Sequence, residues 1–176
     1  MSHPFSSILN PVVVNKLLDD WLMEDQPGFD LQSLAVDGNV TCSIYCKQNC
    51  TLAGLTFLDF MARKTGICID FKAVDGEFVD VAYGRKVVAT VTGPASTVLK
   101  HERLILNIIS RCSGVASITR RIKEKLLQVG WNGVLAGTRK TTPGFRVAEK
   151  FSLLVGYVVS MLDPLFPQLK QSKNVL

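Results

Sequence analysis

"WNGVLAGTRKTTPGFRVAEKFSLLVG", residues 131 to 156, begins as a short apolar run, turns through Arg139, Lys140 and Arg146, and ends on an amphipathic stretch. Its pattern reads as a strand over "WNGVLAGTRK", a loop, and a helix of about a dozen residues from Gly144. Strand, loop and helix in that order form the unit from which parallel barrels and doubly wound sheets are made. In both architectures ligands sit at the carboxyl ends of strands, where "GTRKTT" falls. A guanidinium forks carboxylates bidentately, an ammonium adds a point charge, and threonine hydroxyls supply further donors. The loop therefore reads as the floor of a pocket for a small, multiply anionic substrate; the bland alternative is a solvated turn.

The charge distribution points the same way. Residues 100 to 150 hold eleven Lys/Arg against three Glu, whereas the rest of the chain is net negative and the total is only +5. Local positive charge implies an anionic partner near that segment. Part of "RRIKEK" (120 to 125) is the solvated face of a helix, and no aromatics interleave with its cations as single-strand binders require, so nucleic acid is not an expected partner. At 176 residues and 47% hydrophobic, the chain suits one folded domain, or one small domain and part of a second.

Working back towards the N-terminus, "VASITRRIKEKLLQVG" reads as an amphipathic helix capped by Gly130. Before it "STVLKHERLILNIISRC" (96 to 112) is helical and apolar nearly all round at Leu104, Ile105, Leu106, Ile108 and Ile109, so it must be buried on several sides. Ser113 and Gly114 are expected to break or bend the path between the two. "RKVVATVTG" is a strand. "ICIDFKAV" alternates Ile67, Ile69, Phe71 and Ala73 with polar residues, as a half-buried strand does, and "DGEF" after it is a turn. "LTFLDFMARKTG" is a helix with Leu55, Leu58, Met61 and Ala62 inward and Gly66 as its stop. "TCSIYCK" is a strand with Cys42 and Cys46 on one face. "PVVVNKLLDDWLMED" is an amphipathic helix with Asn10 as N-cap, Pro11 at its first position, and Val14, Leu17, Leu18, Trp21 and Leu22 inward. Interspersed strands and helices of this kind make an α+β layer domain.

Five cysteines without a CxxC pair, and only two histidines, His3 and His101, give neither a disulfide framework nor a metal site of zinc spacing. His101, between Lys100 and Glu102, reads as a surface residue. Arg103 lies beside Leu104 and Ile105, so its charge must leave the core or meet an anion, Glu102 or a distant carboxylate being the ordinary partner. The N-terminus lacks the features of a secretory signal, and no run reaches the roughly 18 apolar residues of a membrane span; a cytoplasmic protein without membrane attachment is expected. There is no glycine-rich nucleotide loop and no Ser-His-Asp arrangement.

"GP" at 93 to 94, "ERLILNIISRCSGVAS" at 102 to 117 and above all "AGTRKTTPGFRVAEKFSLLVG" at 136 to 156 resemble the quinolinate phosphoribosyltransferases, over roughly residues 8 to 156. The resemblance implies an α+β N-terminal sandwich domain over 1–117, then the first part of an α/β barrel over 118–157, incomplete in this chain. It implies transfer of a phosphoribosyl group from phosphoribosyl pyrophosphate to quinolinate with decarboxylation, giving nicotinate mononucleotide, CO₂ and pyrophosphate for NAD biosynthesis. Mg²⁺ is the implied cofactor, and a homo-oligomer, dimeric or higher, the implied assembly. By the same resemblance Thr138, Arg139 and Lys140 bind substrate, and Arg103 reaches into a partner subunit's site to bind a quinolinate carboxylate; Arg146 is assigned a structural or rim role. No protein nucleophile is implied. Residues 158–176 have no family character: Met161 and Leu162 stand where the family has a substrate-binding His-Arg pair. The tail reads as an alternative carboxyl terminus, and the chain alone is expected to be a catalytically inactive form that at most docks with full-length subunits.

Overall fold

The computed structural model describes residues 5–26, 28, 36–82 and 84–158. The tail assigned to 158–176, Met161 and Leu162 included, lies outside the described residues past Val158, as does His3.

Helix α1 (Pro11–Asp25) starts as the sequence dictates: the Asn10 side chain accepts from the Val12 N–H at 3.0 Å and Pro11 occupies the first turn. Val14, Leu18 and Trp21 are buried, and Leu17 and Leu22 pack at the edge of the same core. Strand β1 (Asn39–Cys46) follows, then the two-residue β2 (Cys50–Thr51), helix α2 (Leu55–Thr65), β3 (Cys68–Phe71), β4 (Phe78–Val79) and β5 (Lys86–Pro94). Gly66 ends α2 in the left-handed conformation (φ 75°), with its N–H on the Ala62 carbonyl.

The main sheet is antiparallel in the order β1-β5-β3, and β2 pairs with β4 in a separate two-stranded ribbon. Along β1 and β5 the register skips Val88, because Ile44 faces Ala89 while Tyr45 faces Val87. Such a bulge changes which face successive residues take, which accounts for Val88 and Ala89 both being buried. Cys42 is exposed and Cys46 half-buried, with the Cys46 Sγ 3.4 Å from the Cys50 Sγ.

Helix α3 corrects the expected break at Ser113 and Gly114: it runs without interruption over 34 residues, Ala95–Gln128, through the division expected between 117 and 118. The reason lies in β2 and the residues just after it. Ser113 Oγ accepts from the Ala53 N–H (3.0 Å) and donates to the Ala53 carbonyl (3.2 Å); one turn on, Ser117 Oγ does the same for Thr51 (2.8 and 3.5 Å). Two serines at i, i+4 thus satisfy backbone groups that a further strand would otherwise pair. Gly114 faces open space, so its flexibility is not needed for a bend.

Two further expectations are revised. His101 is buried at 7% exposure, its Nδ1–H donating to the Thr97 carbonyl at 2.8 Å; a carbonyl only accepts, so the ring serves as an internal prop. Leu104, Ile105, Ile108 and Ile109 are buried as expected, but Leu106 is 41% exposed.

The expected first barrel strand is absent: residues 131–145 form no strand, and Trp131 and Val134 are exposed. Isolated strands have no ladder to satisfy their backbone, and among the described residues none pairs with this segment. The described residues contain no closed barrel. The helix after it does form, as α4 (Arg146–Val158), lying against α3 with Ala148, Phe151, Ser152 and Val155 buried. Burial of each larger apolar side chain in such a seam contributes about 1.5–3 kcal/mol.

Candidate anion-binding site

The segment between α3 and α4 is fixed by side chains rather than by a sheet. At its carboxyl end, Trp21 of α1 donates its indole N–H to the Gly144 carbonyl at 3.2 Å, and its ring stacks obliquely on Phe145 with centroids 5.0 Å apart. Phe57 of α2 meets Trp21 at 6.1 Å and Phe151 of α4 edge-on at 5.2 Å. This aromatic group joins α1, α2 and α4, so the cationic loop is referred to the layer domain.

Thr142 is held by Glu149. Its N–H and hydroxyl donate to the two carboxylate oxygens at 3.2 and 2.7 Å, while Arg111 of α3 donates to Glu149 Oε1 at 2.7 Å and to the Thr142 hydroxyl at 3.1 Å. Glu149 is buried at 8% exposure, and the Arg111 guanidinium, then the Thr142 hydroxyl, hold its carboxyl below the usual carboxylate range against the opposing effect of burial. At the amino end of the loop, Lys150 donates to the carbonyls of Gly137 and Thr138 at 2.9 and 2.8 Å. Within it, Lys140 N–H donates to Thr138 Oγ1 at 3.2 Å, Thr141 N–H to the Arg139 carbonyl at 3.1 Å, and Arg146 Nε to Thr141 Oγ1 at 3.0 Å.

Because the folded-state pKa of Glu149 is depressed, its contribution to stability is present above the ordinary carboxylate value and is lost as pH falls through the lowered one. Thermal melts from pH 7 downward are expected to show a loss beginning below about pH 4. Glu149→Gln is expected to remove part of that acid dependence. Identical slopes for the two proteins would exclude a role for this carboxylate.

Of the residues singled out from the sequence, Thr138, Arg139 and Lys140 are brought together on the loop, all exposed. Neither the Arg139 guanidinium nor the Lys140 ammonium has an ion-pair partner among the described residues. Arg103 stands elsewhere on α3, 72% exposed, its Nη1 3.2 Å from Asp25 Oδ1. A distant carboxylate is thus its partner, the ordinary outcome weighed for it.

Beside the loop lies a cleft of about 700 Å³ whose lining includes Trp21, Asp25, Asn107, Arg111, Thr142 and Phe145. Arg139 and Lys140 are not part of that lining. Arg111 and Glu149 were not singled out from the sequence. The available signal was the isolation of Glu149 as one of three acids in a stretch of eleven cations. No helix among the described residues is long and apolar enough to cross a membrane.

Layer domain, shared long helix and pinned cationic loop define a two-part α+β chain with a positively charged connection. Residues 30–113 match the family model for the quinolinate phosphoribosyl transferase N-terminal domain, and residues 115–160 that for the C-terminal domain. The chain belongs to the quinolinate phosphoribosyltransferase family. It is 40% identical over 155 residues to the human nicotinate-nucleotide pyrophosphorylase [carboxylating], covering 87% of this chain and 51% of that protein. The Dictyostelium discoideum protein of the same name is 35% identical over 162 residues, covering 85% and 54%. The solved nicotinate-nucleotide pyrophosphorylase of Francisella tularensis superposes with a TM-score of 0.74 at 28% identity, over 84% of this chain and 52% of the other. The chain spans about half the length of the relatives it matches.

Proposed function

We propose that this chain supplies the quinolinate- and phosphoribosyl pyrophosphate-binding loop of a phosphoribosyltransferase that makes nicotinate mononucleotide, CO₂ and pyrophosphate. The observation that carries the reading is the state of Arg139 and Lys140: two exposed cations without ion pairs among the described residues, on a loop pinned at both ends. Unspent charge on a pre-shaped loop suits a ligand with two carboxylates or a pyrophosphate, since little ordering remains to be done on binding. Lys140 and Arg139 neutralise the anion, and Thr138 closes the turn that presents them. Positioning and fixed charge would lower the barrier as the ribosyl carbon becomes cationic.

Arg103 belongs to the same proposal as a group offered to a second subunit's site, which would exchange Asp25 for a substrate carboxylate. The division at 117/118 then marks where the sandwich hands over to the barrel, inside α3. Magnesium is the proposed companion of the pyrophosphate. Among the described residues no group of three His, Cys, Asp or Glu side chains could hold a metal ion, so this part of the chain does not fit a resident magnesium site.

A second reading is favoured by one observation, the strandless 131–145 segment with Trp131 and Val134 exposed. On that reading the chain alone binds anions without turning them over, and acts with longer subunits. Calorimetric titration with quinolinate tests the binding claim: Arg139→Ala is expected to weaken it about 10- to 150-fold, the equivalent of one charge-assisted bond of about 1.5–3 kcal/mol. Unaltered affinity would take Arg139 out of the site. Incubation with quinolinate, phosphoribosyl pyrophosphate and Mg²⁺ separates the two readings, because nicotinate mononucleotide above blank requires turnover by the chain itself.

A further inference from the structure

We propose that Glu149 and Lys150, neighbours at the start of α4, are positioning residues that together hold both arms of the 137–142 loop and so set where Arg139 and Lys140 stand. The proposal rests on the reading of that loop as the anion site and adds how the site keeps its shape without a barrel strand beneath it.

The two side chains leave the helix about 100° apart, as adjacent residues do, and reach opposite ends of the loop. Lys150 takes the carbonyls of Gly137 and Thr138; Glu149 takes the N–H and hydroxyl of Thr142. Only Arg139, Lys140 and Thr141 lie between the two grips. The loop's internal bonds, Lys140 N–H to Thr138 Oγ1 and Thr141 N–H to the Arg139 carbonyl, close a tight turn across that gap. A side chain one residue from its neighbour therefore does the work that ladder bonds do in a sheet, where 131–145 has none.

The chemistry of the grips differs, and the difference matters for a cationic site. Lys150 donates to two neutral carbonyls, so its charge remains uncancelled and adds to the field of Arg139 and Lys140. Glu149 could oppose that field, yet its charge is consumed by Arg111, which reaches across from α3 and bonds the same carboxylate oxygen as the Thr142 hydroxyl. Arg111 thus neutralises the carboxylate that grips the loop and leaves Arg139 and Lys140 to the ligand. Arg146, bonded to Thr141, steadies the apex in the same way.

The test compares the full chain with Lys150→Met, Lys150→Arg and Glu149→Gln, reading amide hydrogen exchange at Thr141 and Thr142 alongside calorimetric titration with quinolinate. Amides of α2 report global folding, and the near-isosteric Glu149→Gln, expected to speed exchange at Thr142 as well, keeps the proposal testable should Lys150→Met fail to fold. Lys150→Met is expected to speed exchange of the loop amides tenfold or more, with α2 unchanged, and to weaken quinolinate binding by a similar factor. Lys150→Arg, which retains two donors, is expected to restore most of both. Loop exchange unaltered in Lys150→Met and Glu149→Gln would overturn the proposal. So would faster exchange with quinolinate affinity intact, because the loop's shape would then be irrelevant to the site. Faster loop exchange in a chain whose parent binds no quinolinate supports the two grips while removing the functional reading above, so the two failures are distinguishable.

Discussion

Asp75→Ala is expected to lower the stability of the layer domain by about 3–5 kcal/mol, from the sum of a lost helix cap and buried donors left unpaired. Helix α2 begins after Gly54, which sits at φ 105° and brings no side chain to its own cap. The cap comes from the turn before β4 instead. Asp75 is 4% exposed; its Oδ1 accepts from the Leu55 N–H at 2.9 Å, and its Oδ2 from the Thr56 N–H at 2.9 Å and the Thr56 hydroxyl at 2.6 Å. Leu55 and Thr56 are fully buried, so water cannot replace the carboxylate without opening the core. Against a total of about 5–15 kcal/mol for a domain, such a loss is close to unfolding. Asp75→Asn retains one good acceptor and is expected to lose roughly half as much. Urea denaturation of the three proteins decides it: a shift below about 1 kcal/mol for the alanine variant would mean that the donors find other partners.

Asp75 also shows where sequence reading stops. "DGEF" was legible as a turn, and it is one, because Gly and Asp favour such backbone locally. That the same Asp reaches back to the start of a helix twenty positions earlier is a tertiary fact, carried by no local pattern. The helices and strands with periodic faces were legible for the opposite reason: Val14, Leu18 and Trp21 on α1, and Ile67, Ile69 and Ala73 around β3, are selected by burial, which leaves its period in the sequence. Ser113 and Gly114 misled because their intrinsic preference is against helix, whereas the Ser113 hydroxyl is engaged by the backbone of Ala53, just after β2, and the helix continues through both.

The candidate site divides along the same line. That Thr138, Arg139 and Lys140 share an exposed turn was legible, because Thr, Pro and Gly around two cations favour a solvated loop and the motif around them carries the family. Arg111 and Glu149 were not, since each is an ordinary helical residue until α3 and α4 are laid side by side and the two meet at 2.7 Å. The strand expected over 131–140 was read correctly as an apolar run, but an apolar run becomes a strand only beside another, and none is present among the described residues. A loop whose supports are long-range contacts shows its exposed cations in sequence and hides the residues that hold them.

The side-by-side packing of those helices yields the second large effect. Gly156→Val is expected to separate α4 from α3 and cost about 3 kcal/mol or more, the upper end for forcing extra atoms into a packed seam. A Cβ placed on Gly156 would come within 2.4 Å of the Ala116 carbonyl oxygen and 2.9 Å of its Cα. These are backbone atoms in the middle of a continuous helix, so they cannot swing aside as a side-chain end could, and α4 must move. The glycine lies inside α4, where its missing side chain permits the close approach. Moving α4 carries Glu149 and Lys150 away from Thr142, Thr138 and Gly137, and it lifts Phe151 off Phe57. The consequence is selective. Limited trypsin digestion of Gly156→Val is expected to cut at Arg139, Lys140 and Arg146 at least tenfold faster than in the parent, as the loop and α4 lose their supports. The start of α2, capped by Asp75, and the β1-β5-β3 sheet, which includes no strand from α4's end of the chain, are expected to resist as before. Equal cleavage rates would show that α3 and α4 can part company without loosening the loop, and the account of that loop as held from α4 would then be wrong.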